Sequence, residues 1–209
     1  LVSRGGVLTR DATAEWTQLQ TSRTHALVVR SDMAEAADVA TARAHNALLL
    51  LRGVWHAAGV LADGVLPSQT ALTLRKVLGP KMHGACLVQR GCASSCLDAC
   101  VLFSSVAALL GGAGQANYAA ANAQLDALAQ LRRVEGQVGA SLQWGAWAEM
   151  GMAARGAANE RMLAMEKASG FGRIGLAMGL AALDMAVGPA DTPSVLGVLP
   201  VVWSRMLAR

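Results

Sequence analysis

Short, unbroken apolar runs alternate along this chain with longer Ala-rich stretches whose apolar positions recur at helical spacing. Ala26–Val29 reads as a short buried strand. Leu48–Trp55 reads as a second, interrupted only by Arg52-Gly53 and ending at Ala57-Ala58-Gly59. Leu97–Phe103, Ala140–Trp144 and Val195–Leu199 complete the predicted strands. Met33–Asn46, Thr70–Gln89, Ala116–Glu135 and Ile174–Val187 are the predicted helices, with Asp32 as N-cap of the first and Pro80 as a local break in the second. Apolar runs that do not alternate with polar residues suit parallel strands covered on both faces. The βαβα order then predicts an α/β fold: an open, mostly parallel, doubly wound sheet with helices on both sides. Ligands in that architecture sit beyond the carboxyl ends of the strands, where Gly59 and Ser105 fall. Met150–Ala158, rich in Gly and Ala and without a period, is expected to form a mobile lid.

Composition narrows the picture. The 209 residues suit one domain, and 54% hydrophobic against 15% charged residues excludes disorder. A net charge of +4 without a Lys/Arg cluster argues for small anionic groups or an acidic partner and against nucleic acid. No apolar stretch is long enough to span a bilayer, so no membrane association is expected. Cys86, Cys92, Cys96 and Cys100 lack a Cys-x-x-Cys spacing, so no metal is expected; thiols in so apolar a chain point to a reducing, cytoplasmic compartment.

The single tyrosine, Tyr118, opens an Ala-rich helix after a Gly-rich loop, and Asn122 lies one turn further on the same face. Both are placed to look towards the end of the strand that carries Ser104-Ser105. A phenol needs a neighbouring cation to become a useful acid or base near neutrality. Its own helix offers none, and Lys81, one of three lysines, is the best candidate.

Trp55-His56-Ala57-Ala58-Gly59-Val60-Leu61-Ala62-Asp63-Gly64, Pro80-Lys81, Leu102-Phe103-Ser104-Ser105 and Gly114-Gln115-Ala116-Asn117-Tyr118-Ala119-Ala120-Ala121-Asn122 resemble the ketoreductase domain of modular polyketide synthases, an extended relative of the short-chain dehydrogenases. Ser141–Trp147 and Val198–Trp203 continue the likeness. The resemblance implies a Rossmann-like fold and reduction, with NADPH, of a β-ketoacyl chain on an acyl carrier protein, alongside other synthase domains. It implies Tyr118 as proton donor, Ser105 as a hydrogen-bond donor to the substrate carbonyl oxygen, and Lys81 as the cation beside Tyr118 and the nicotinamide ribose. Asn122 stands where ordinary short-chain dehydrogenases carry the lysine, the exchange characteristic of this subfamily. That exchange disfavours an ordinary short-chain dehydrogenase acting on a free small molecule. Cofactor contacts are implied for Arg4 (with the adenosine 2′-phosphate), Asp32, Met33, Ala57, Ala58, Gly59 and Gly145. Asp63 and Gln115 are implied in substrate placement and stereocontrol, and Asp63 with Leu110 leans towards the Asp-loop (B-type) group. Ala62 and Ala113 depart from the family pattern.

No Gly-x-Gly-x-x-Gly turn directly joins a predicted strand to the helix that follows it. In the family that turn, with its strand, precedes the Leu1-Val2-Ser3-Arg4 strand, and it holds the pyrophosphate. The expectation is a ketoreductase lacking its first strand and Gly-rich turn. Two functions follow from it: the catalytic part of a competent reductase, or a structural fragment unable to bind NADPH.

Overall fold

The structure, a computed structural model, describes residues 1–8, 12–46, 51–148, 170–188 and 192–208. In chain order the elements are β1 (Val2–Ser3), α1 (Thr13–Thr21), β2 (Val29–Arg30), α2 (Ala36–Asn46) and β3 (Gly53–His56). A 3₁₀ turn at Leu66–Ser68 leads into α3 (Ala71–Leu78), a π turn (Gly79–His83) and α4 (Gly84–Gly91). Then come β4 (Ala99–Ser105), α5 (Ala107–Leu110), α6 (Ala116–Val134), β5 (Ala140–Trp144), α7 (Leu176–Ala186), β6 (Val195–Val198) and α8 (Trp203–Met206).

All pairs among the described strands are parallel, as unbroken apolar strands suit. β3-β4-β5-β6 form one sheet, and β1-β2 form a second, two-stranded one. Side chains of β4 divide between two cores. Val101 and Phe103 join Leu142, Trp144, Ile174, Ala182 and Val198 on the face that α7 covers. Cys100 and Leu102 join Ala85, Leu125 and Ala129 on the face that α4 and α6 cover. The sheet is thus covered on both sides, a Rossmann-like α/β arrangement.

Several boundaries move. The strand expected at Ala26–Val29 is Val29–Arg30, because Val29 and Arg30 are the residues that pair with β1. The helix expected from Met33 begins at Ala36. Asp32 holds a turn ahead of it, its Oδ1 accepting from the Ala34 N–H at 3.0 Å, while Asp38 reaches back to the Asp32 N–H at 2.7 Å. Asp32 is therefore a turn residue, not the N-cap. The Pro80 break is a widening rather than a stop: α3 runs through the π turn into α4. Proline lacks the N–H and crowds the preceding turn, and a π turn relieves both problems. The expected lid at Met150–Ala158 and the start of the Leu48–Trp55 run lie outside the described residues. No described helix is long and apolar enough to cross a membrane.

Candidate functional site

The π turn presents Lys81, only 3% exposed, to the end of β4. Its Nζ donates to the Phe103 carbonyl at 2.8 Å and lies 5.3 Å from the centroid of the Tyr118 ring. Burial lowers the Lys81 pKa to about 8, against an opposing pull from Asp126. Beneath it, His56 at the end of β3 is buried with Nε2 3.1 Å from the Lys81 carbonyl. Burial is also the main cause that lowers the His56 pKa.

Tyr118 lies on the first turn of α6 and is buried; its N–H donates to the Asn117 side-chain oxygen at 2.7 Å. Burial raises its phenol pKa, opposed by hydrogen bonding with the Asn122 and Ser105 side chains, while the Asp63 charge adds to the rise. This departs from the expectation that Lys81 makes the phenol more acidic. The ammonium hydrogen-bonds the Phe103 carbonyl, and burial dominates the phenol. Ser105 ends β4, its Oγ accepting from the Ala107 N–H at 3.2 Å. Asn122 is fully buried, donating from Nδ2 to the Tyr118 carbonyl at 2.8 Å while its Oδ1 is left without a partner. A buried orphan acceptor marks a place where a further donor can be received. Lys81, Ser105, Tyr118 and Asn122 thus meet in one place.

The loop after β3 is bonded to the segment that opens α6. Exposed Asp63 accepts from Gln115 Nε2 at 3.3 Å, and the Gly64 N–H donates to the Gly114 carbonyl at 2.8 Å. Gly114 takes φ +73°, a left-handed conformation that a side chain would strain. Asn117, buried, donates from Nδ2 to the Ala62 carbonyl at 2.8 Å and to Gln69 Oε1 at 3.1 Å. This fixes the Asp63 loop to the helix of Tyr118, with Asp63 and Gln115 side by side, while Leu110 on α5 is exposed.

Ala57, Ala58 and Gly59 follow β3, and Gly59 lies against the lysine: a Cβ there would come 2.9 Å from Lys81 Cε. Met33 packs against the start of α4, since a Cβ on Gly84 would lie 3.2 Å from the Met33 carbonyl oxygen. Arg4 is exposed directly after β1. Gly145 has a packing reason of its own: a Cβ there would fall 2.6 Å from Leu199 Cδ1. These residues fit a nicotinamide riboside beside Lys81 and Tyr118, and an exposed guanidinium fits an adenosine phosphate. Gly170-Phe171-Gly172-Arg173-Ile174-Gly175 has the Gly-x-Gly-x-x-Gly spacing ahead of α7, with Gly170 at φ +75°, but its backbone is tied to the C-terminal segment: the Val202 N–H donates to the Gly170 carbonyl at 2.7 Å and the Gly172 N–H to the Pro200 carbonyl at 2.8 Å.

Sequence reasoning passed over three residues that organise the site: Asn117, Gln69 and Asp126. Asp126 accepts from Ser141 Oγ at 2.6 Å and from Gln143 Nε2 at 2.8 Å. Its spacing from Tyr118 and Asn122, at four and then four more residues, was the available signal. All four cysteines are free, and Cys100 is buried. The described residues hold no group of three or more His, Cys, Asp or Glu that could bind a metal.

Fold and site together define a Rossmann-like reductase domain of the short-chain dehydrogenase type. The chain belongs to the ketoreductase domains of polyketide synthases: the model of the KR domain family matches residues 1–149. It is 40% identical over 200 residues to polyketide synthase GfsB of Streptomyces halstedii, covering 87% of this chain and 4% of that protein. A ketoreductase from the first module of phoslactomycin biosynthesis in Streptomyces sp. HK803 superposes with TM-score 0.88 at 34% identity, over 99% of this chain and 47% of that one. The ketoreductase domain from the bacillaene assembly line gives TM-score 0.87 at 28% identity, over 100% of this chain and 50% of that one. The chain therefore spans a small part of the curated relative and about half of the solved domains.

Proposed function

We propose that this chain reduces a β-ketoacyl group carried on an acyl carrier protein to the β-hydroxyacyl group, with NADPH as reductant and within a larger polyketide synthase. The carrying observation is the convergence of Lys81, Ser105, Tyr118 and Asn122, with the Lys81 ammonium 5.3 Å from the Tyr118 ring centroid. NADPH supplies the hydride that adds to the carbonyl carbon. Tyr118 gives the carbonyl oxygen its proton. A phenol pKa raised by burial keeps that proton in place until the oxygen becomes basic. Ser105 donates a hydrogen bond to the same oxygen and fixes its position. The Asn122 and Ser105 hydrogen bonds favour the phenolate left behind. Asn122 Oδ1 can receive the water that returns a proton. Lys81 would also hold the nicotinamide ribose. Arg4 would hold the 2′-phosphate, with Asp32 and Met33 beside the adenine, Ala57–Gly59 and Gly145 along the cofactor, and Asp63 and Gln115 guiding the acyl chain.

A second reading is that the chain is a structural fragment that does not bind NADPH. The separation of β1-β2 from the four-stranded sheet favours it. NADPH fluorescence titration separates the two, comparing the chain with a form extended upstream. Binding by the extended form, with reduction of a β-ketoacyl thioester, supports the reductase. An extended form that neither binds nor turns over supports the fragment.

A further inference from the structure

Asn117 is 2% exposed, and both polar atoms of its side chain are engaged. Its Oδ1 accepts from the Tyr118 N–H at 2.7 Å, within its own helix. Its Nδ2 reaches out of α6, donating to the Ala62 carbonyl at 2.8 Å and to Gln69 Oε1 at 3.1 Å. Gln69 stands ahead of α3 and is held there by Thr73, whose Oγ1 donates to the same Oε1 at 2.9 Å. Gln69 Nε2 in turn donates to the Gly64 carbonyl at 2.9 Å. Two side-chain amides thus grip the loop on either side of Asp63, by the carbonyls of Ala62 and Gly64.

The gripped loop packs on the cluster that holds the proposed proton donor: Leu61 and Ala62 lie against Val77, Ala107, Tyr118 and Ala121. Beyond the clasp, the Gly64 N–H donates to the Gly114 carbonyl at 2.8 Å, and Gln115 Nε2 donates to Asp63 Oδ2 at 3.3 Å on the surface. The Tyr118 N–H belongs to the first turn of α6, where backbone donors have no partner inside the helix. The Asn117 oxygen therefore serves its own helix, and an acceptor alone would be enough for that. Its nitrogen does something a bare acceptor cannot: it holds a second segment. Hydrogen bonds are directional, so two amides sharing one bond fix the loop more closely than apolar contact would.

We infer that Asn117 and Gln69 are positioning residues, a clasp that holds the Asp63 loop to the helix of Tyr118 and so fixes which way round the acyl chain lies when its carbonyl meets the phenol. The consequence for the product rests on the reductase reading, but the hold on the loop can be read without turnover. Hydride adds to one face of the carbonyl carbon, and exchanging the two carbon substituents presents the opposite face. A loop set firmly beside the carbonyl admits one arrangement, and a loosened loop admits both. The clasp therefore shows in the configuration of the new hydroxyl, which a change in stability alone would not alter.

Gln69→Leu keeps the bulk of the side chain, removes its half of the clasp and changes nothing in α6 itself. In this variant the Gly64 amide should exchange with deuterium at least about ten-fold faster, with β4 and β5 unchanged. In the form extended upstream, KM for a β-ketoacyl thioester should rise about five- to twenty-fold while kcat stays within about three-fold. The minor hydroxyl configuration, read by chiral chromatography, should grow at least about five-fold. Asn117→Ala should move the same readings and also lose stability, because it strands the Tyr118 N–H; if it does not fold, Gln69→Leu carries the test. Ser68→Ala removes a bond to the Val65 carbonyl in the same stretch but outside the clasp, and should leave every reading in place. Unchanged Gly64 exchange in Gln69→Leu overturns the inference, as does an unchanged hydroxyl ratio or an equal effect from Ser68→Ala. If the unmutated extended form neither binds NADPH nor turns over, the reductase reading fails and the consequence for the product falls with it. Gly64 exchange then still decides whether the clasp holds the loop.

Discussion

Tyr118 and Lys81 carry opposite consequences of burial. For Tyr118, burial keeps the phenol protonated, which suits a donor. Replacing it by Phe removes the proton but little shape. Tyr118→Phe is therefore expected to lower turnover of a β-ketoacyl thioester by about 100- to 10,000-fold, with NADPH affinity changed only a few-fold. Stopped-flow reduction and fluorescence titration measure the two separately, and a loss confined to affinity would remove Tyr118 from the chemistry. For Lys81, burial brings the pKa to about 8 from the ordinary lysine value of about 10.5. Between those pH values the unfolded chain holds more protons than the folded one, so stability from this group rises with pH across the window. Below pH 8 the penalty is fully present, and 2.5 units correspond to roughly 3 kcal/mol. Lys81→Met should therefore raise stability in denaturant unfolding at pH 7, with the gain shrinking as pH approaches 10.5. An equal gain at both ends of that range would show that the lysine is not a buried charge.

Elements with a continuous apolar signal were readable, and those without one were not. β5 falls on Ala140–Trp144 as expected, all five residues buried, and α6 ends within one residue of its expected limit. The strand and helix that carry the candidate site were legible because both are core elements, so the same residues that pack the fold mark the site. α1 was invisible: Thr13–Thr21 contains no buried residue and thus no apolar stripe to read. The π turn was also beyond reach. Pro80 signals a break, but whether the chain stops, kinks or widens depends on how α3 and α4 pack. Asn117 and Asp126 look like ordinary helix-surface polar residues until the sheet beneath them is known. α7 shows how tightly one element can depend on a single position. Trp147 packs at a tilt on Trp144, ring centroids 4.9 Å apart, and its ring lies where a Gly179 side chain would be. Gly179→Ala should push Trp147 off β5 and cost about 1–3 kcal/mol, seen as a lower urea midpoint and altered tryptophan fluorescence. Unchanged values would mean that α7 can slide on the sheet without loss.

At the scale of the molecule, the proposed cofactor contacts are divided between two sheets. Lys81, Ser105 and Tyr118 belong with the β3-β4-β5-β6 sheet, while Arg4 follows β1 of the two-stranded sheet. Two residues per strand give β1 and β2 few hydrogen bonds. In the larger sheet, by contrast, β4 is paired on both sides and its Val101 is fully buried. Segments with few buried contacts open first. Hydrogen exchange should therefore run at least about ten-fold faster in β1, β2 and α1 than in β4, β5 and the first turns of α6. A dinucleotide held at one end by Arg4 and at the other by Lys81 and Tyr118 would couple the two parts. In the form of the protein that binds NADPH, saturation should slow exchange in Val2–Ser3 and Val29–Arg30 as well as around Tyr118. Linkage requires this, because a ligand that contacts both parts only when both are folded stabilises both. Arg4→Ala should abolish the slowing at β1-β2 while leaving that around Tyr118 largely in place. Protection confined to the Tyr118 side in the unmutated chain would instead place the adenosine phosphate on some other cation, and Arg4 would then be a solvated arginine at a strand end.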